Sequence, residues 1–239
     1  MCLLAVYFRV AVDAPVVVGA NREEFYARGG EPPQLMGQSC RVLAGRDPRA
    51  CGTWLGVNEH GVVVAVTNRL TSQVPAAPRS RGLLTRDLLE YGSAAGAQGH
   101  AVRELDSARY AGCNLLIADA ERAVIVHAGE WLHVNPLPPG IHVVTSIRDV
   151  DDDSDPRIAH ALGWLNEHPS KTAADCLAAL AELCGQTGVP PICLRGADRG
   201  TVSSTLVALR AGSTVYLHAQ GPPDRTPYED YSRLLTRGG

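Results

Sequence analysis

The apolar residues of this chain fall into short runs separated by polar breaks, which is the pattern of β-strands. Residues 2–10 and 15–20 are dense in Val, Leu and Tyr, and they predict a hairpin at the start of the chain. Residues 52–57 and 62–67 predict a second hairpin. Between the two hairpins, residues 27–50 are rich in Gly, Pro and Arg, and we expect a long connection there.

The rest of the chain alternates between helical and strand patterns. Leucines recur at helical spacing after residue 82, and an Ala-rich stretch follows them. The predicted elements are helices over 83–89, 93–108, 156–168 and 172–184, and strands over 114–118, 123–128, 142–145, 203–209 and 213–217. This order of hairpins, helices, strands, helices and strands favours an α+β fold with sheets between helix layers, in one domain over residues 1–239.

Composition and charge exclude several classes of protein. The chain has 239 residues, of which 45% are hydrophobic and 20% charged, as in ordinary globular proteins. Its formal net charge of −3 gives no field that would gather phosphates, so nucleic acid is not an expected partner. No apolar run reaches the ~18 residues of a membrane span, and no signal peptide is recognisable.

The seven cysteines have irregular spacing and form no CxxC pair. We expect them to be reduced thiols in the cytoplasm. Cys2 follows the initiator methionine directly, and a methionine before so small a residue is commonly removed. Removal would make Cys2 the first residue, with a free α-amino group.

Residues 149–155 are rich in aspartate, but consecutive aspartates point in different directions and lack the spacing of a metal-binding loop. A solvated loop is the favoured interpretation, and we expect no metal site.

The first hairpin predicts a reactive constellation. If it turns near Val12 and Asp13, Cys2 lies opposite Arg22 and Glu23. A guanidinium beside a thiol favours the thiolate and lowers the pKa of the cysteine, while a carboxylate could orient the α-amine. The alternative, which position alone leaves open, is a buried strand cysteine beside a surface ion pair.

The motifs together resemble a known family. They are Met1-Cys2-Leu3-Leu4, Gly19-Ala20-Asn21-Arg22-Glu23-Glu24-Phe25-Tyr26, Ala44-Gly45-Arg46-Asp47, Gly52-Thr53-Trp54-Leu55-Gly56-Val57-Asn58 and Val66-Thr67-Asn68-Arg69. The chain is similar to the NRDE family, also called the transport and Golgi organisation 2 family. That resemblance implies a four-layer αββα sandwich of the N-terminal nucleophile hydrolase type, related to choloylglycine hydrolases and penicillin V acylases.

The resemblance also implies roles for particular residues. Cys2 is expected to be the nucleophile, Arg22 its thiolate partner, Glu23 the amine-orienting acid and Asn68 the oxyanion donor. The expected substrate-binding residues are Asn21, Arg69 and Ser146.

Two positions depart from the family pattern. Ser146 stands where the family usually has Asn, and Val202 stands where it usually has Arg. Arg199 could lend a guanidinium from nearby in place of the missing arginine.

These observations leave three functions open. The first is an N-terminal cysteine amidohydrolase or acyltransferase that acts on a small-molecule amide or acyl group without a cofactor. The second is a haem-binding or a lipid- or acyl-CoA-binding trafficking protein, and the third is a scaffold that has kept the fold and lost its chemistry. The oligomeric state stays open, a homo-oligomer included.

Overall fold

A computed structural model describes residues 2–72, 74–107 and 109–236. The strands are β1 (Leu3–Ala11), β2 (Ala14–Phe25), β3 (Glu31–Met36), β4 (Val42–Arg46), β5 (Leu55–Asn58), β6 (Val63–Asn68), β7 (Cys113–Ala118), β8 (Ala123–Ala128), β9 (Leu132–Pro136), β10 (Gly140–Thr145), β11 (Arg199–Arg210), β12 (Ser213–Ala219) and β13 (Glu229–Asp230). The helices are α1 (Arg81–Leu88), α2 (Ala94–Asp106), α3 (Pro156–Glu167) and α4 (Ala173–Gly185), with short 3₁₀ turns at Tyr26–Arg28 and Ser232–Leu234.

The chain forms two compact units, each built from two segments. The first unit contains the residues up to Gly29 and Pro138–Arg233, and the second contains Gly30–Leu137 and the residues from Leu234 onward. The prediction of a single domain over 1–239 stays a prediction.

The first unit is a six-stranded antiparallel sheet in the order β10-β1-β2-β11-β12-β13, with α3 and α4 against one face. Apolar residues at alternate positions of β1 pack with both helices in one core, among them Leu3, Ala5 and Tyr7. Gly19 of β2 allows α4 to approach closely, because a Cβ there would lie 2.9 Å from the Cβ of Leu180. This face of the sheet is therefore a packing surface.

The second unit is a seven-stranded antiparallel sheet in which β3 to β9 follow one another in chain order. One core joins α1 and α2 to alternate residues of the central strands, such as Val64, Leu115 and Ile117. Asn58 ends β5 and ties the sheet to the chain after α1, because its Nδ2 donates to the carbonyls of Leu89 and Tyr91 at 2.8 Å each.

The structure confirms most predicted elements and corrects one. Both hairpins and all four helices lie where the sequence predicts them, within a few residues. The expectation of a long connection over 27–50 is wrong, since β3 and β4 form there. Strand β3 contains two consecutive prolines and lies at the edge of its sheet, where a missing backbone N–H costs no ladder bond.

Within the described part of the chain, no helix has the length and apolar character needed to cross a membrane. All seven cysteines lie in that part and are free thiols. Residues 149–155 connect β10 to α3, and Asp155 caps α3 by accepting the backbone N–H of Arg157 at 2.9 Å.

Candidate active site

The register of β1 and β2 brings Cys2 to Arg22. Leu3 pairs with Asn21, so continuing the ladder by one residue places Cys2 beside Arg22. A plain count from the predicted turn would pair Cys2 with Glu23, and a bulge in β1 shifts the register by one residue. The backbone N–H of Glu23 lies 3.5 Å from the Sγ of Cys2, and Cys2 as a whole residue is half-buried. The thiol is therefore held against the backbone at the end of β2.

Ser146 lies on the other side of Cys2. Leu3 also pairs with Thr145 of β10, and the next residue, Ser146, accepts a hydrogen bond from the Cys2 nitrogen at 3.0 Å. That nitrogen becomes the α-amine if Met1 is removed. The structure thus places Ser146 at the nitrogen of the predicted nucleophile, and its predicted contact with substrate stays a prediction.

Glu23 is ion-paired with Arg157, which sequence reasoning missed. Arg157 Nη2 lies 2.8 Å from Glu23 Oε1, and Nη1 lies 3.5 Å from Oε2, with both side chains almost fully buried. Arg157 also donates to the carbonyls of Pro191 and Ile192. A guanidinium that contacts both oxygens of a carboxylate in this way fixes the position and orientation of that carboxylate.

Burial changes the expected electrostatics of the thiol. Burial raises the pKa of Cys2, and the negative charge of Glu23 raises it further. Arg22 lowers the pKa, as predicted, but its effect is too small to reverse the rise. The expectation of a cysteine pKa lowered toward the reactive range is therefore wrong for the chain that retains Met1.

The side chains of β2 alternate between two faces of the sheet. Asn21 lies on the helix face, where its Nδ2 donates to the carbonyls of Cys184 and Ile192 at 2.9 and 3.1 Å. Glu23 shares that face, since residues two apart in a strand point the same way. Arg22 therefore points to the opposite face, and its Nη1 donates to the carbonyl of Gly29 at 2.8 Å.

Arg199 pairs with Phe25, on the Glu23 side of the sheet, and its guanidinium carbon lies 5.2 Å from the centre of that ring. Its role in place of the missing family arginine stays a prediction.

A cavity of about 490 Å³ opens beside Glu23 in the first unit. Its walls come mainly from the chain between α4 and β11 and include Val189, Pro191, Leu194 and Arg199. The volume lies within the ~300–1,000 Å³ range of small-molecule pockets.

Asn68 and Arg69 belong to the second unit. Asn68 ends β6, where it is exposed and pairs with Cys113 of β7. Arg69 Nη1 donates to Asn114 Oδ1 at 3.3 Å, and the same oxygen lies 2.8 Å from His127 Nδ1. The roles of Asn68 as oxyanion donor and of Arg69 as substrate ligand stay predictions.

Among the residues that the structure describes, no three His, Cys, Asp or Glu side chains form a group that could hold a metal ion.

Two solved structures with a similar fold are an amidase orthologue and a hydrolase. An N-acylethanolamine-hydrolyzing acid amidase orthologue from Caenorhabditis elegans matches with a TM-score of 0.60 and 15% identity, over 86% of this chain and 92% of that one. A conjugated bile acid hydrolase from Clostridium perfringens matches with a TM-score of 0.53 and 10% identity, over 100% and 95%. The predicted α+β fold class of the N-terminal nucleophile hydrolases is confirmed.

Sequence relatives carry a different name. The human transport and Golgi organization protein 2 homologue is 32% identical over 142 residues, and the Bos taurus homologue is 34% identical over the same length. Each match covers 53% of this chain and 49% of the relative, so the chain matches about half the length of these curated relatives. The model of the family described as transport and Golgi organisation 2 matches residues 1–191. This chain therefore belongs to the transport and Golgi organisation 2 family.

Proposed function

We infer that this chain is an N-terminal cysteine amidohydrolase or acyltransferase that acts on a small-molecule amide or acyl group, with Cys2 as the nucleophile once Met1 is removed. One observation carries the inference: the Cys2 nitrogen donates to Ser146, while its sulfur lies at the backbone N–H of Glu23 and beside Arg22. Both reactive atoms of the residue thus have fixed polar neighbours. The likeness in fold to an amidase orthologue and a hydrolase supports the same class of reaction.

The raised pKa of the thiol makes a base necessary. A freed α-amine, with an ordinary pKa of ~7.7–8.0, can take the thiol proton at neutral pH. Ser146 accepts a hydrogen bond from this nitrogen, and once Met1 is removed the amine also has a lone pair that can take the thiol proton. Glu23 supplies negative charge beside the resulting ammonium, and Arg157 keeps that carboxylate in place.

The reaction then proceeds in two steps. The thiolate attacks the carbonyl carbon, a C–S bond forms, and a backbone N–H stabilises the oxyanion. Collapse breaks the C–N bond, and the ammonium returns its proton to the departing amine. Water hydrolyses the thioester in an amidohydrolase, whereas a second amine takes the acyl group in an acyltransferase.

A second candidate is a binding protein for lipid, acyl-CoA or haem in trafficking. The name of the family and the raised pKa of the Cys2 thiol favour it. Titration with haem or with a fluorescent acyl-CoA tests this candidate. Saturable binding that survives Cys2→Ala, together with an absence of acyl transfer, would support it over the enzyme.

The test of the proposed function is covalent labelling followed by intact mass measurement. We expect purified protein to begin at Cys2 and to gain one acyl group from a reactive acyl donor such as a nitrophenyl ester. Cys2→Ala should abolish the adduct, and Cys51→Ala, which removes an exposed thiol, should leave it unchanged. Adding an amine acceptor then separates hydrolysis from transfer by the product formed. Retention of Met1, or an adduct that persists in Cys2→Ala, would remove the proposal.

A further inference from the structure

Four polar or reactive residues lie side by side on one face of the first sheet. Ser146 and Cys2 are neighbours across β10 and β1, and Cys2 and Arg22 are neighbours across β1 and β2. Ser203 pairs directly with Arg22 across β2 and β11. Directly paired residues of antiparallel strands point to the same face. The sheet therefore presents a row of Ser146, Cys2, Arg22 and Ser203, which we call the site row, on the face opposite α4.

Ser203 differs from its neighbours in its hydrogen bonding. Its side chain is 3% exposed, and its hydroxyl has no hydrogen-bond partner among the described residues. The next residue, Ser204, points to the other face, where its hydroxyl lies 2.7 Å from that of Tyr228 and 3.2 Å from the carbonyl of Ala20. Thr205 Oγ1 in turn lies 2.9 Å from His218 Nδ1.

A buried hydroxyl without a partner costs about 1–3 kcal/mol, and such groups are uncommon in folded proteins. Each one that persists has a reason, such as stored strain, a catalytic or binding role, or a bound water or ion. Packing does not account for Ser203, because an alanine at the same position would fill nearly the same space and leave no polar atom unpaired.

We propose that Ser203 is a substrate-binding residue that donates to, or accepts from, a hydroxyl or carbonyl group carried by the substrate at a distance from the bond that is cleaved. The proposal rests on the proposed function, and it narrows the substrate class to amides with a second polar group. Neighbouring strands are ~4.8 Å apart, so Ser203 lies about 10 Å from Cys2 along the site row.

That distance sets the position of the second polar group. A hydroxyl on the second carbon beyond the amide nitrogen, or on the γ-carbon of the acyl part, lies roughly 4–5 Å from the carbonyl carbon, from ordinary bond lengths. A hydrogen bond to Ser203 adds ~2.8 Å. Together with the bond to sulfur, these lengths span the separation between the thiol and the Ser203 hydroxyl. The group could belong to the amine part or to the acyl part, and the probes below distinguish the two.

The experiment measures binding in the Cys2→Ala background, where no reaction interferes. The probes are the hexanoyl amide of ethanolamine, the propylamide of γ-hydroxyhexanoic acid, and the hexanoyl amide of propylamine, which lacks the hydroxyl. We expect one of the two hydroxyl-bearing probes to bind about three to ten times more tightly than the hexanoyl amide of propylamine. This is the usual effect of one hydrogen bond. Adding Ser203→Ala should remove this preference, and Ser203→Thr should restore it.

Ser204→Ala is the matched control, because it removes a neighbouring hydroxyl on the opposite face and should leave the preference unchanged. A preference that survives Ser203→Ala, equal binding of all three probes, or no binding of any probe would overturn the proposal. Acylation of Cys2 in the otherwise unaltered protein is a separate readout. If acylation occurs and Ser203→Ala changes no preference, the proposed function stands and the role of Ser203 fails.

Discussion

The two faces of the first sheet are built by the same strands and differ in chemistry. On the helix face, Gly19 admits α4 and Arg157 grips Glu23. On the opposite face, Cys2 is half-buried and the Ser203 hydroxyl has no partner among the described residues. Both faces are buried along most of their length, since Leu4 and Val18 on the opposite face are at most 1% exposed, and they differ in the polar groups at the Cys2 end. Adjacent residues of β2 point to opposite faces of the sheet. Arg22 and Glu23 therefore both affect the pKa of Cys2, but from opposite faces.

The largest expected effect is the loss of stability on breaking the ion pair between Arg157 and Glu23 on the helix face. Arg157→Met leaves the Glu23 carboxylate buried without its partner, and we expect a loss of about 3–5 kcal/mol in the free energy of unfolding. Urea denaturation measures this loss. The double variant Glu23→Gln with Arg157→Met should recover much of it, because no charge is then left buried.

A matched control is Arg28→Met, since Arg28 lies 3.6 Å from Glu24 in a pair at the surface. Exposed pairs contribute less than ~1 kcal/mol. If Arg157→Met and Arg28→Met lowered the free energy of unfolding equally, burial would not make the Glu23 pair more important than a surface pair.

The next effect tests the close approach of α4. Gly19→Val places side-chain atoms into Leu180, and overpacking of this kind costs about 1–3 kcal/mol. Thermal unfolding with a two-state fit measures the change. Gly163→Ala in α3 is the control, because a Cβ there meets nothing within 4 Å and should stabilise the helix by up to ~1 kcal/mol. Destabilisation by Gly163→Ala, or none by Gly19→Val, would contradict this account of the helix face.

On the opposite face, Ser146→Ala removes the acceptor for the Cys2 nitrogen. If this bond orients the base, we expect kcat for the acylating substrate to fall about tenfold with KM nearly unchanged, the pattern for an interaction that acts on the chemical step. Ser203→Ala should instead change KM for a hydroxyl-bearing substrate. A rise in KM alone for Ser146→Ala would mean that Ser146 binds substrate, as the sequence predicts.

The smallest effect is a pH dependence. Because burial and Glu23 raise the pKa of Cys2, the thiolate fraction in the chain that retains Met1 is small at neutral pH and grows as pH rises. The rate at which iodoacetamide alkylates Cys2 should therefore rise up to tenfold per pH unit. The rise should continue above pH ~8.5, which is the pKa of an ordinary cysteine. Arg22→Gln should move the profile to higher pH. A plateau near neutral pH would show that Arg22 dominates after all.

The sequence predicts local relations well. A count along the hairpin from the turn at Val12 and Asp13 brings Cys2 to within one residue of its observed partner, Arg22, because a bulge in β1 shifts the register by one residue. The caps of α3 and α4 follow from Asp155 before Pro156 and from Thr172. These features depend on residues close together in the chain.

Relations between distant segments could not be predicted in the same way. Arg157 is 134 residues from Glu23, and nothing in either segment indicates the ion pair. Residues 31–36 contain two prolines, so their strand depends on an edge position that only the assembled sheet defines. The net pKa of Cys2 likewise depends on burial, which outweighs the charge of Arg22 next to it.

The most direct test of the central claim compares two forms of the same chain. One form begins at Cys2, and the other carries a short N-terminal extension that keeps the Cys2 nitrogen in a peptide bond. Each is mixed with the reactive acyl donor at pH 7 and mapped by peptide mass spectrometry. The account predicts an acyl group on Cys2 of the first form, formed at least a hundredfold faster than on the second. Equal rates in the two forms would contradict it, because the freed α-amine would then have no part in the reaction.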